Sequence, residues 1–214
     1  MSTHLTITSL PKDIIYEIIS YSYDFYSLRS LLLTHLIFHK EFEHHQILIV
    51  KLVFLNQISH NKTKKSDAIE VMRSYINILP DTRLSDAIIL REAIWPYLET
   101  QLPNLRSVRC AIQQSQAYSQ MAQHKKALVL LEKVWKTLIA QEGYLLCLAT
   151  SCAEALMNCY REAGRFDESF ALMESVVQRL LPLSKLFSTW AVKIRNAYRA
   201  DGRFQQCHEY QLRI

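Results

Sequence analysis

AYSQMAQHKKALVLLEKV (117–134), CYREAGRFDESFALMESV (159–176) and AYRADGRFQQCHEYQLRI (197–214) can be laid over one another without a gap. Their tyrosines, Tyr118, Tyr160 and Tyr198, stand 42 and 38 residues apart. Four residues after each tyrosine comes a small residue (Ala122, Gly164, Gly202), six after it a ring (His124, Phe166, Phe204), and nine after it another small residue (Ala127, Ser169, Cys207). Val134, Val176 and Ile214 close the three units. Self-similarity at such a period is the mark of stacked supersecondary units. A glycine at the fourth position suits a helix–helix turn, where a left-handed backbone is cheapest without a Cβ. A small ninth residue lets two antiparallel helices approach closely. The tyrosine and the second ring are expected to fill the space between neighbouring hairpins. The first copy has Ala122 in place of the turn glycine, so a β-branched residue is expected to cost less there than at Gly164.

This register resembles the tetratricopeptide repeat, a helix–turn–helix unit. The usual period is about 34 residues, and the longer spacing here is similar to the long-repeat variety of kinesin light chains. The resemblance implies an α-solenoid of antiparallel helix pairs over residues 105–214. The chain stops at Ile214, inside the second helix of the third unit, so the last repeat reads as incomplete. Solenoids normally end in a capping helix with a polar outer face, and its absence predicts association through the C-terminal end.

Upstream of the repeats the helical period persists. Ile14, Ile15, Ile18 and Ile19 form one apolar stripe over 11–21, with Pro11 in the first turn and Asp13 and Glu17 near the positive end of the helix dipole. Ser27 is the expected cap of a second helix over 28–33. A third runs from Leu36 into His44, followed by an apolar helix through Leu55. Residues 50–55 would pass for a strand on composition, but a lone strand leaves its ladder unpaired. Residues 59–65 read as a loop. Helices follow over 67–79 and 84–95, the second stopped by Pro96, and Pro103 opens the next. The expected organisation is a module over 1–55, connecting helices over 56–104 and repeats over 105–214. The fold class is all-α.

The stretch 9–44, SLPKDIIYEIISYSYDFYSLRSLLLTHLIFHKEFEH, carries a second pattern. It combines a Leu-Pro pair (Leu10, Pro11), an acid at Asp13, paired aliphatics at Ile14, Ile15, Ile18 and Ile19, an aromatic at Tyr21, and a leucine-rich block at Leu28, Leu31, Leu32 and Leu33. It resembles an F-box, the three-helix module that docks on the Skp-family adaptor of cullin–RING ubiquitin ligases. The Phe-His ending, Phe38-His39, looks like the fungal form. The arginine usual near Leu36 is absent, and Ser22 replaces a leucine. The resemblance implies adaptor contacts by Leu10, Pro11, Ile14, Ile15, Ile18, Ile19, Leu28, Leu31 and Leu32. Independently of family, a 40-residue unit with this much aliphatic surface has more than it can bury alone. Either the excess covers the rest of the chain or it meets a partner. Outward Ile14, Ile18 and Leu31 would favour docking. Burial against 47–55 would favour a module that only caps the solenoid.

Composition narrows the function classes. Of 214 residues, 50% are apolar and 21% charged, and only 3 are Gly and 5 Pro, too few for a turn-rich β fold. Residues 1–100 carry 10 Lys+Arg against 11 Asp+Glu, and residues 101–214 carry 15 against 9. The second half is mildly basic but too scattered to be a nucleic-acid stripe, so no nucleic-acid partner is expected. Apolar runs fall short of the roughly 18 residues a membrane span needs, and the N-terminus shows no signal-peptide pattern. An odd cysteine count in that context predicts free thiols in a reducing compartment, cytoplasm or nucleus. His35 and His39 are four apart, and Cys147, Cys152 and Cys159 share a helix, but neither set has the spacing of a metal site. No nucleophile motif or phosphate loop is present. No enzyme, metal or cofactor is expected. Met121, Trp135 and Trp190 read as core.

In the resemblance to tetratricopeptide units, the first helix of each pair lines a groove. Two residues before the tyrosines stand Gln116, Asn158 and Asn196, and one after them Ser119, Arg161 and Arg199. Amides there suit a peptide backbone and arginines suit carboxylates. Chaperone-binding members have a lysine one turn before the asparagine. Glu154 and Val192 stand there instead, so a clamp for chaperone tails is not expected. The function expected is a non-catalytic receptor joining a target protein to the ligase adaptor. The alternative is a helical interaction scaffold with no ubiquitin role.

Overall fold

A computed structural model describes residues 10–60, 65–140, 146–179 and 185–213. Among these every regular element is helical: α1 (Lys12–Ser20), α2 (Phe25–Thr34), α3 (Leu36–His60), α4 (Lys65–Ile78), α5 (Leu84–Glu99), α6 (Leu105–Gln120), α7 (His124–Ile139), α8 (Leu146–Glu162), α9 (Phe166–Arg179), α10 (Lys185–Ala200) and α11 (Phe204–Arg213). A single 3-10 turn at Asp81–Arg83 precedes α5. The chain divides into two compact units, Met1–Tyr97 and Leu98–Ile214.

In the first unit α1 and α2 both pack on α3. Ile15, Ile19, Leu28, Phe38, Ile49 and Val53 form a buried cluster, with Leu10, Leu31 and Leu32 against its edge. The helix ends are tied down by α3 side chains. Asn56 Nδ2 donates to the carbonyls of Ser20 at 3.1 Å and Ser22 at 3.4 Å, and the N–H of Phe25 donates to Gln57 Oε1 at 3.3 Å. These bonds satisfy backbone groups that helix ends leave open.

Three expectations are corrected here. The cap of α2 is Asp24, whose Oδ1 accepts from the Ser27 N–H at 2.7 Å, so α2 starts three residues before Leu28. A carboxylate at that position also complements the helix dipole, as a serine hydroxyl does not. The two helices expected over 36–55 meet where expected, α3 being broken by a non-helical kink at His45 (φ −117°, ψ 20°), but the second continues to His60, into the stretch read as a loop. His45 holds the bend, its ring edge-on to Tyr16 at 5.0 Å and its Nε2 3.1 Å from Glu41 Oε1. Pro96 does not stop α5, which runs on to Glu99. Proline there removes only one late ladder bond, and buried Ile94 and Leu98 on either side hold the turn in place. The 50–55 stretch is helical, as expected.

In the second unit α6/α7, α8/α9 and α10/α11 are three antiparallel hairpins, and each packs on the next. The turn between partners sits at the expected position. Gly164 and Gly202 have φ of 72° and 71°. Ala122 shares this conformation at φ 55°, so the first repeat keeps the left-handed turn with a side chain on it. Ala122 therefore already carries the left-handed Cβ penalty, which is the reason a β-branched residue is expected to add less cost there than at Gly164. The turn closes identically in all three units: the N–H five residues after the tyrosine donates to the tyrosine carbonyl, Gln123 to Tyr118 at 2.8 Å, Arg165 to Tyr160 at 2.8 Å and Arg203 to Tyr198 at 2.9 Å.

The ninth-position residues Ala127, Ser169 and Cys207 are all buried between partner helices. Ser169 Oγ reaches the Met157 carbonyl at 3.4 Å and Cys207 Sγ the Arg195 carbonyl at 3.7 Å, the same register in consecutive units. In the second and third units the second ring does not fill the space between hairpins, whereas His124 of the first is half-buried with its Nδ1 3.6 Å from Glu162 Oε2 of the next hairpin. Phe204 is 69% exposed and Phe166 37%, each at the first position of its helix. Phe170 takes that role, stacked on Tyr198 with centroids 4.3 Å apart. Trp135 and Trp190 are core residues, but Met121 is exposed at its turn. Ile214 and the side chain of Cys147 lie outside the described residues.

Candidate functional site

The first helices of the hairpins, α6, α8 and α10, present one face in register. Gln116, Asn158 and Asn196 all stand exposed on it. Between α6 and α8 lies a depression of about 560 Å³, lined in part by Gln116, Ser119, Asn158 and Glu162. Between α8 and α10 lies a second, of about 350 Å³, with Asn196, Arg161, Glu154 and Lys193 in its wall. Thus Gln116 meets Asn158 in one depression, and Arg161 meets Asn196 in the next. Arg199 lines neither. The guanidinium groups of Arg161 and Arg199 find no partner among the described residues, whereas Lys193 is hydrogen-bonded to Glu154.

Glu162 and Lys193 were missed as lining residues of this face. Their signal was available in the repeat register: Glu162 and Ala200 stand two residues after their tyrosines, and Ala155 and Lys193 five before theirs.

Away from this face the hairpins are joined by a polar contact that repeats. The hydroxyl of Tyr160 donates to Glu132 Oε1 at 2.8 Å, and that of Tyr198 to Glu174 Oε1 at 2.7 Å. Each glutamate stands fourteen residues after the tyrosine of the preceding unit. A cation covers each junction. Arg165 lies 4.9 Å from the centroid of Tyr160, and Arg203 4.8 Å from that of Phe170. Burial, followed by the hydrogen bond to Glu132, pushes the Tyr160 phenol up to about 12. Burial and Glu174 likewise raise Tyr198. A neutral phenol donating to a carboxylate is favoured over two facing anions. In the core of α8, burial pushes the Cys152 thiol up to about 12, which keeps it an unreactive packing residue.

In the first unit the nine residues named for adaptor contact separate by burial. Ile15, Ile19 and Leu28 are sealed in the α1–α2–α3 cluster, so no partner surface touches them while the module is folded. Leu10, Leu31 and Leu32 are half-buried at its edge. Pro11 is exposed, and Ile14 and Ile18 remain 41% and 38% exposed, one helical turn apart on the outer face of α1. Of the trio chosen to discriminate docking from capping, Ile14 and Ile18 therefore point outward and Leu31 packs on the module's own core.

Two histidines of α3 pair with carboxylates one turn away, His39 with Glu43 at 3.6 Å and His45 with Glu41. Among the described residues no group of three or more His, Cys, Asp or Glu side chains is placed to hold a metal ion. No helix among them is long and apolar enough to cross a membrane.

No protein-family model matches this chain, and no curated protein matches it significantly. Two solved structures do match. They are described as kinesin light chain nearly identical TPR-like repeats from Podosopora anserina, one of them a point variant. The variant is 18% identical, with a TM-score of 0.55 over 79% of this chain and 84% of that one. The other gives the same identity and TM-score over 78% and 83%. Identity this low speaks to fold alone. The hairpins, their left-handed turns and this likeness together show that the second unit is built of degenerate tetratricopeptide-like helical repeats.

Proposed function

We propose that this protein is a non-catalytic interaction scaffold that holds an extended segment of a partner protein along α6, α8 and α10. The observation that carries the reading is the row Gln116, Asn158 and Asn196. These three side-chain amides stand exposed at one register position on successive helices, each able to donate and accept toward a peptide backbone. The test is to pan the full chain against a displayed library of random decapeptides and measure the recovered peptides by fluorescence anisotropy. Asn158→Ala with Asn196→Ala should weaken them by roughly tenfold, the worth of one or two hydrogen bonds. Recovered peptides indifferent to both changes would place the binding elsewhere.

A second reading adds a docking role for the first unit: contact with a Skp-family adaptor, which would make the scaffold a substrate receptor for a cullin–RING ligase. Its support is the F-box-like pattern of residues 9–44 together with the exposed pair Ile14 and Ile18. Against it, the solved-structure likeness covers 79% of the chain, more than the second unit holds, which favours a scaffold throughout. Ile14→Asp with Ile18→Asp, both on the outer face, should abolish capture of a purified Skp-family adaptor while leaving helicity intact. An adaptor that never co-purifies with the unaltered chain removes this role and leaves the scaffold reading standing.

A further inference from the structure

We propose that the two depressions on the α6–α8–α10 face select opposite charges along one bound peptide: a basic side chain between α6 and α8, and an acidic one between α8 and α10. The inference rests on the peptide-holding reading above and gives it a sequence preference.

The two depressions are equivalent by register. Asn158 and Asn196 occupy the same place in each, two residues before their tyrosines, and so do Cys159 and Ala197, one before them. What differs is the charge. Where the first depression has Ser119, the second has Arg161. Where the first has Ala155, the second has Lys193. Where the first has Glu162, the second has Ala200. In the second depression Lys193 is neutralised by Glu154, which leaves Arg161 as the uncompensated charge. In the first, Glu162 supplies a carboxylate among neutral hydroxyls and amides, with His124 Nδ1 3.6 Å from its Oε2.

Arg161 and Glu162 are consecutive on α8. Successive helical residues are about 100° apart, which turns one toward each flank of the helix. One helix thus carries a positive edge toward α10 and a negative edge toward α6. A planar guanidinium with no partner suits a carboxylate, which it can grip with two hydrogen bonds. The step from one depression to the next is one helix spacing, about 10 Å, and an extended chain advances about 3.3 Å per residue. The acidic and basic side chains of the ligand therefore fall about three residues apart, with the amides of Asn158 and Asn196 on the backbone between them.

The experiment uses the full chain and the displayed decapeptide library at pH 8. Enriched peptides should carry an Asp or Glu about three residues from a Lys or Arg. A synthetic copy of the tightest should bind at least tenfold more weakly to Arg161→Glu, and replacing the peptide's acidic residue by lysine should restore it. Glu162→Lys should give the mirror result, rescued by an acid in place of the peptide's basic residue. Arg161→Lys, which keeps the charge but not the paired hydrogen bonds, should bind more weakly than the unaltered chain and more tightly than Arg161→Glu, and melting followed by circular dichroism shows whether each exposed-site variant is folded. Peptides that depend on Asn158 but carry no charge pair, or charge reversals that no complementary peptide rescues, would overturn the inference and leave the groove assignment intact. Failure to enrich any peptide would overturn both.

Discussion

The two units of this chain solve the same problem, packing short amphipathic helices, in different ways. The first seals a single aliphatic cluster and ties the ends of α1 and α2 with Asn56 and Gln57, contacts that occur once. The second repeats its contacts: a left-handed turn after each tyrosine, a small residue at the ninth position, and a tyrosine donating to a glutamate of the preceding hairpin. Repetition makes a contact visible in the sequence, because the same residue type returns at the same offset. A contact made once has no such signature, which is why Asp24, Asn56 and Gln57 were not anticipated.

The largest expected effect tests the single-cluster description of the first unit. Ile19→Ala removes a side chain that is 0% exposed and should cost about 2–5 kcal/mol. Ile18→Ala, on the outer face of the same helix, should stay within about 0.5 kcal/mol. Urea titrations of the two variants measure the contrast. Similar losses would mean that α1 is not packed by one face.

The repeated turn is tested next. At Gly164 a Cβ would meet nothing within 4 Å, so the cost expected of Gly164→Val is that of the left-handed backbone, about 1–2 kcal/mol. The same reasoning reverses at Ala122, already at φ 55°, where Ala122→Gly should stabilise by roughly 0.5–1 kcal/mol. Opposite signs in paired thermal melts would establish that all three turns share one conformation. A destabilised Ala122→Gly would single out the first repeat as different.

The smallest effect concerns the repeated tyrosine–glutamate contact. Tyr160→Phe should cost about 1 kcal/mol through the lost hydrogen bond. Because the folded phenol titrates near 12 rather than 10, its contribution is complete below pH 10 and is lost as pH rises toward about 12. Stability of the unaltered chain should fall over that window more steeply than in Tyr160→Phe. Parallel curves for the two would remove the contact from the account of what holds α7 and α8 together.

Much of the candidate face was legible beforehand. Gln116, Asn158, Asn196 and Arg161 were found by counting from the tyrosines, and the structure places them on one face beside the two depressions. Arg199 was found the same way yet lines neither, since its register position is served by no further described first helix. Glu162 and Lys193 were overlooked because their counterparts, Ala200 and Ala155, are small, and a position that changes character between repeats does not stand out in a self-comparison. In the first unit the stripe of isoleucines was read correctly as helical. Which of them would be sealed was not, because Ile14 and Ile15 look alike until α3 is seen to cover only one side.

The sequence alone determined the local structure. It set the all-helical class, the hairpin turns at Ala122, Gly164 and Gly202, and the close helix approach at Ala127, Ser169 and Cys207. All of these follow from periodicity and from backbone preferences that act over a few residues. The tertiary structure alone decided the extension of α3 to His60, the passage of α5 through Pro96, the exposure of Phe204 and its replacement by Phe170 in the stack on Tyr198. It also decided the split of Arg161 and Glu162 to opposite flanks of α8. In each case the outcome depends on which neighbour occupies the far side of a helix, and packing between distant segments, not local propensity, supplies that neighbour.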